Sequence, residues 1–319
     1  MKSTIGKFII ILGSIILFSS GIGRDDVPLS KYFHFAKNPV FDCVGEIYFK
    51  NEFSASCVLI GKKHIISAAH NFYFESDSLV FDSIYDQKLK KWFYGKHPFT
   101  SELASSKLFS IKIAGKSYKV RKINIYSEYF DAKIIRDEFG PHVTEGFYKD
   151  IAIAALETEV LNVKPAIIFE GNNELGKRAI ISGFGEVEKA SDYNSENTNY
   201  IRRKMAGENM IDSFGNFKVD NEFAAITTDF DNPKSTCCSS SGSSKSLPLE
   251  WYGNTGDCGC GLFINDNNVW KLAGICSSED SQYESITFGN KYGKYYGFTD
   301  LFQRVSAYKI WINKILTEM

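Results

Sequence analysis

Gly256-Asp257-Cys258-Gly259-Cys260-Gly261-Leu262 surrounds one reactive side chain with glycines. That pattern permits a tight turn that aims consecutive backbone N–H groups into one concavity, the arrangement an oxyanion hole requires. A glycine-rich turn with no chemistry has the same composition. Two segments upstream bear on the choice. Ser67-Ala68-Ala69-His70 follows the apolar run His64–Ile66. Small residues before a histidine at a strand end let its ring lie against nearby backbone and free one nitrogen as a base. Lys149-Asp150-Ile151-Ala152-Ile153-Ala154 sets a carboxylate at the entrance of a buried strand, where it can orient an imidazole. Taken singly, a satisfied histidine and an Asp before an apolar strand are both commonplace.

Their order along the chain is what carries information. S-A-A-H, D-I-A-I and G-D-C-G-C-G resemble the T-A-A-H, D-I-A-L and G-D-S-G-G-P blocks of the trypsin-like serine peptidases, the chymotrypsin-fold S1 family, and occur in the same order. Supporting blocks are similar too. Cys57-Val58-Leu59-Ile60 resembles the family's G-S-L-I, Ile181-Ser182-Gly183-Phe184-Gly185 its V-S-G-W-G, and Leu272-Ala273-Gly274-Ile275-Cys276-Ser277 its L-V-G-I-V-S. Arg304-Val305-Ser306-Ala307-Tyr308-Lys309-Ile310-Trp311-Ile312 resembles the closing R-V-S-x-Y-x-x-W-I.

The resemblance runs from about Val40 to Leu316 and implies an all-β fold: two six-stranded antiparallel β-barrels of the chymotrypsin/trypsin-like type with a C-terminal α-helix. It further implies a catalytic set of His70, Asp150 and Cys258, an oxyanion hole from the N–H groups of Gly256 and Cys258, and supporting roles for Asp257 and Ser277. Asp257 matches the carboxylate that pairs with a new N-terminus after zymogen cleavage, and Ser277 the serine that bonds the buried triad carboxylate.

The departures are as specific as the matches. Cys258 stands where the family has serine; a thiol can serve when a histidine lowers its pKa. Cys260 and Gly261 replace a glycine and a proline, and no I-V-G-G start follows a basic residue. Asn71 and Asn254 occupy positions of two family cysteines. In the specificity pocket, Tyr252 lies where a basic-selecting Asp is found, and Ser278-Glu279 replaces Trp-Gly, so selection of Lys or Arg is not supported.

Without the resemblance, the residues already limit fold and compartment. With 37 basic and 38 acidic side chains the formal net charge is −1, which argues against nucleic acid or an anionic membrane as partner. Short runs rich in Val, Ile, Phe and Tyr recur at Val44–Phe49, Val58–Ile60, Ile65–Ser67, Phe109–Ile113, Ile151–Leu156, Ala179–Gly183, Leu262–Ile264, Val269–Ile275 and Ser285–Phe288. Many short strands with polar connectors predict an all-β sandwich or barrel. Helical spacing of Leu301, Val305, Tyr308, Ile312 and Ile315 predicts one closing helix capped by Asp300. Glu186–Asn199 and Thr236–Ser246 read as surface loops, and the excess length between His70 and Asp150, within Phe74–Phe147, as one elaborated loop.

Lys2 and Lys7, the apolar run Phe8 to Phe18, and the small residues Gly21 and Gly23 read as an export signal over residues 1–23. A mature secreted chain starting near Arg24, with a pro-like segment at 24–37, follows. The peptidase-like domain then spans 38–319, with a first barrel at about 38–165, a second at 166–300 and the helix at 301–316. Seven cysteines in an oxidising setting lead us to expect disulfides, with at least one thiol left over. Neither a metal nor a cofactor is implied. The expectation is a secreted, monomeric endopeptidase acting on proteins or peptides; the alternative is an inactive homologue that binds proteins in the same cleft.

Overall fold

A computed structural model of the chain describes residues 21–75, 80–86, 90–97, 101–127, 129–137, 140–190, 203–234, 242–279 and 295–318. Six strands close the first barrel in the order Lys116–Ile125, Ala152–Leu156, His64–Ser67, Glu52–Gly61, Val44–Phe49 and Phe109–Ile113. Their hydrophobic patterns explain the closure. Phe109, Ile111 and Ile113 point inward and alternate with partly exposed Ser110 and Lys112. Every residue of Ala152–Leu156 is buried, as suits a strand enclosed on both faces. Two-residue turns hold the register: Lys50-Asn51 joins Phe49 to Glu52, and Ala114-Gly115 joins Ile113 to Lys116, all four residues having positive φ.

In the second sheet the order is Met205–Met210, Arg178–Gly183, Gly261–Asp266, Val269–Glu279, Thr299–Arg304, Ala225–Asp229 and Ser213–Phe214. Its first and last members belong to one stretch of chain. The Asp212 N–H donates to Thr227 O at 2.9 Å, and Asn209 Nδ2 to Asp229 O at 2.9 Å, so the sheet curls back on itself as a less regular barrel. The Phe41 ring meets Phe263 edge-on at 5.9 Å, within a core cluster that joins the two barrels.

Three sequence expectations are revised. Leu301 and its neighbours are not helical: Thr299–Arg304 is a strand, followed by a 3-10 turn Val305–Tyr308 and the α-helix Lys309–Glu318. Pairing with Ala225–Asp229 on one side and Val269–Glu279 on the other overrides the helical spacing, and Asp300 caps nothing. Val187–Lys189, read as loop, is a strand. The excess before Asp150 is not one loop: hairpins at Val80–Asp86/Lys91–His97 and Phe130–Asp137/Gly140–Tyr148 bracket two barrel strands. No disulfide joins any two of the described cysteines Cys43, Cys57, Cys258, Cys260 and Cys276. The strand expected at Ser285–Phe288 and the pair Cys237–Cys238 lie outside the described residues.

Candidate active site

The site is assembled from loop ends in both barrels. The strand His64–Ser67 runs into a 3-10 turn, His70–Phe72, and the fully buried Ala68 and Ala69 let that turn sit close to the barrel wall. Opposite it, Lys149 takes φ 54°, and the chain turns there to insert Asp150, which is fully buried. Its Oδ1 accepts the His70 backbone N–H at 2.8 Å and its Oδ2 lies 2.7 Å from His70 Nδ1. Ser277, from the second barrel, donates its hydroxyl to the same Oδ2 at 2.6 Å. The histidine side chain is 22% exposed, so part of the ring reaches solvent.

Cys258 is on the other side of that ring, within hydrogen-bonding reach of it. Burial disfavours the imidazolium, yet the Asp150 charge, then Cys258 and the hydrogen bonds to both, hold the His70 pKa well above 6.5. The cysteine sits in a turn braced at each step. Asp257 N–H donates to Asn254 O at 2.8 Å, Gly259 N–H to Cys276 O at 2.8 Å, and Cys260 N–H to Asp257 O at 2.7 Å. None of these bonds uses the N–H of Gly256 or Cys258, the two expected oxyanion donors.

Two further contacts seat the loop on the first barrel. Ser56 N–H donates to Cys258 O at 3.0 Å and Ser56 Oγ to Gly256 O at 2.9 Å. Asn71 Nδ2 donates to Ser67 Oγ and to Cys258 O, each at 3.0 Å. Asn71, standing at a family cysteine position in the resemblance, thus ties the histidine turn to the glycine-rich Cys258 loop by hydrogen bonds. Gly259 has φ +87°, and a Cβ there would lie 2.0 Å from Ser67 Oγ, so only glycine fits.

The expected specificity residues divide. Tyr252 is 1% exposed and packs against Phe230, Tyr295 and Phe298 with ring centroids 6.0–6.1 Å apart. It therefore belongs to an aromatic cluster and not to an open pocket wall. Ser278 and Glu279 end their strand opposite Leu301 and Asp300. Asp300, which the sequence reading placed at a helix start, is fully buried and accepts the Gly253 N–H at 2.7 Å, next to Tyr252. Among the described residues no group of three or more His, Cys, Asp or Glu is arranged to hold a metal ion.

One closed six-stranded barrel beside one curled antiparallel sheet decides the architecture. The fold is that of the trypsin-like serine proteases. Among solved structures the chain is similar to neuropsin, a serine protease expressed in the limbic system of mouse brain, with 14% sequence identity and a TM-score of 0.51 over 92% of this chain and 98% of that one. No family model and no curated protein matches the sequence. At that identity the likeness speaks for the fold and not for the activity.

A positioning residue escaped the sequence reading. Gln303 Nε2 donates to Ser277 Oγ at 3.2 Å and its Oε1 accepts from Tyr308 OH at 2.8 Å, so a fully buried chain runs Tyr308–Gln303–Ser277–Asp150. The only hint was a polar residue inside an apolar run. Gln303→Leu is expected to leave the Ser277 and Tyr308 hydroxyls short of a partner and to destabilise the fold by about 2 kcal/mol. Thermal unfolding of the variant beside the parent checks this; an unchanged Tm would show that the Gln303 bonds carry no net stability.

Proposed function

We propose that the chain is a secreted endopeptidase that cleaves protein or peptide substrates through Cys258, His70 and Asp150. The observation that carries this reading is the His70 ring, bonded at Nδ1 to a buried carboxylate at 2.7 Å and facing a thiol on its other side. In this mechanism His70 takes the Cys258 proton, and the thiolate attacks the scissile carbonyl. The N–H groups of Gly256 and Cys258 receive the oxyanion. His70 then protonates the leaving amine, and water, deprotonated by the same imidazole, hydrolyses the thioester. Asp150 holds the ring in the tautomer with its proton on Nδ1 and stabilises the imidazolium. Asp257 and Ser277 support the loop and the carboxylate.

Labelling of the thiol tests the reading. A raised His70 pKa favours a thiolate–imidazolium pair, so alkylation of Cys258 in the unreduced protein is expected to be fast at pH 6–7, where an ordinary thiol with a pKa of about 8.5 is mostly protonated. His70→Ala is expected to slow it by at least tenfold at that pH. Labelling only above about pH 8 in the parent would mean an unactivated thiol and remove the peptidase. The linkage has a fixed sign: a group whose folded pKa lies above its unfolded value stabilises the fold fully below about pH 6.5, and that contribution fades as pH rises through the folded pKa.

One observation favours a second reading. Tyr252, which the resemblance assigns to the specificity pocket, is enclosed by the rings of Phe230 and Tyr295. A catalytically inactive homologue that docks proteins along the cleft would need no such pocket. Cys258-dependent cleavage of a peptide library at neutral pH would remove it.

A further inference from the structure

Cys260 and Cys276 are both buried and stand on the two arms of one hairpin. In the ladder between Gly261–Asp266 and Val269–Glu279, Gly261 is opposite Ile275, so the next pair outward is Cys260 with Cys276. The Cys276 N–H donates to Cys260 O at 3.0 Å, and the Gly259 N–H to Cys276 O at 2.8 Å, which holds the two backbones in that register. Residues directly opposite in an antiparallel ladder project to the same face. Both side chains enter one apolar cluster, with Ile181, Leu262 and Phe302, and the two thiols are within hydrogen-bonding reach of each other. Opposed Cα atoms in such a ladder are about 4.5–5.5 Å apart, inside the span that a disulfide bridges.

The other described cysteines are placed differently. The Cys258 thiol is within hydrogen-bonding reach of the His70 ring. Cys57 is opposite Gly45, and the Cys43 carbonyl accepts the Leu59 N–H at 2.8 Å, so those two are not opposed across their strands. Burial pushes the Cys260 thiol up to about 11. The hydrogen bond with Cys260, then burial, holds the Cys276 thiol well above 9. Neither is a thiolate at neutral pH in the closed fold, and only a thiolate exchanges with an outside disulfide. Such a pair reacts while the hairpin is open, and closing the sheet over it then keeps reductants out.

We propose that Cys260 and Cys276 become joined by a disulfide in the exported protein, a covalent clasp between the Cys258 loop and the strand that carries Ser277. The oxidant is a disulfide, R–S–S–R, of the kind an export compartment holds. One cysteine attacks it as thiolate, giving a mixed disulfide and one R–SH. The second cysteine displaces the other R–SH. One S–S bond forms and one breaks, and the two protein thiols give up two protons and two electrons to the donor. The bond closes residues 260–276 into a covalent loop, which restricts the unfolded chain and stabilises the fold. It joins the residue two after Cys258 to the residue before Ser277, whose hydroxyl bonds Asp150. It also withdraws both thiols from exchange with Cys258, which stays reduced beside His70. The proposal rests on the export half of the functional reading and not on catalysis by Cys258.

The full chain, expressed in a secreting host, supplies the test. The secreted protein is denatured in N-ethylmaleimide without reductant, digested, and mapped by fragmentation mass spectrometry. The expected map has Cys260 linked to Cys276 and Cys258 carrying the label. Label on both Cys260 and Cys276, or a link from either one to Cys237 or Cys238, overturns the inference. A link from either one to Cys258 overturns it together with the peptidase. The expected map in a protein that cleaves nothing leaves the inference standing and removes only the peptidase. Refolding the reduced chain in reductant should lower the Tm by roughly 5–10 °C relative to the secreted protein. In Cys260→Ala/Cys276→Ala the same treatment should change nothing; an equal drop there would place the stabilising bond elsewhere and overturn the clasp. A chain retained in the cell with both thiols labelled removes the export reading. That chain, refolded with glutathione disulfide, then tests the pair alone, and label on both cysteines after refolding overturns the inference.

Discussion

Asp150→Asn is expected to lower peptide hydrolysis by about 10⁴-fold while leaving the barrels folded. The carboxylate accepts three bonds: His70 N–H on Oδ1, and both His70 Nδ1–H and the Ser277 hydroxyl on Oδ2. An amide of the same shape has only one accepting atom. With its oxygen toward His70 Nδ1, its NH₂ faces the His70 backbone donor. With its NH₂ toward Nδ1, it holds the ring in the other tautomer, whose remaining proton points at Cys258 and cannot accept the thiol proton. The first orientation sets two donors against each other and is disfavoured; the second removes the base. Cleavage kinetics on a peptide that the parent hydrolyses, run beside the pH profile of Cys258 alkylation, check this. The alkylation limb should move toward that of an ordinary thiol. A variant that still cleaves at the parental rate would mean that Asp150 does not orient His70.

Arg304→Met is expected to produce the largest loss of stability, about 3–5 kcal/mol, read as a Tm lower by roughly 5–15 °C. Arg304 is 3% exposed, and its guanidinium meets the fully buried Glu174 through Nε at 2.7 Å and Nη2 at 3.1 Å. It also donates to Phe223 O at 3.1 Å, Glu222 at 3.3 Å and Gly171 O at 3.4 Å, and lies 5.1 Å over the Phe214 ring. Ser306 donates to the same Glu174 oxygen at 2.8 Å. Removing the arginine leaves a carboxylate enclosed with only a hydroxyl for company, and desolvation makes that state costly. The double variant Arg304→Met/Glu174→Gln should be less destabilised than the two single changes add up to, because both break the same pair. Additive losses would show that the two groups do not act as a pair.

Much of this was legible in the residues, to unequal degrees. Phe109–Ile113 and Val44–Phe49 were read with the boundaries the structure has, because a half-buried strand writes its two faces into alternate positions. Lys116–Ile125 was missed: Lys116, Ser117, Lys119, Arg121 and Lys122 are exposed, and the charges mask its single buried residue, Val120. Leu301–Arg304, part of the strand Thr299–Arg304, was read as helix because its apolar residues fit both periods, and only the strands on either side decide between them. The spacing to Cys258 assigned Tyr252 to the specificity pocket but could not show the rings that enclose it, which come from Phe230 and from Tyr295 and Phe298, both distant from Tyr252 in the chain.

The sequence by itself determined the order of His70, Asp150 and Cys258, the glycines around the thiol, and the alternation that makes barrel strands. These are local properties, set by side-chain volume, backbone freedom and periodicity. Only the tertiary structure decided that Asp150 is shared by His70, 80 residues away, and Ser277, 127 residues away, or that Gln303 backs the pair. It also decided that Gly21–Gly23, read as part of a discarded leader, is a buried strand against Asp257. A buried carboxylate needs donors wherever they come from, and hydrogen bonds between distant segments leave no periodic trace in either one.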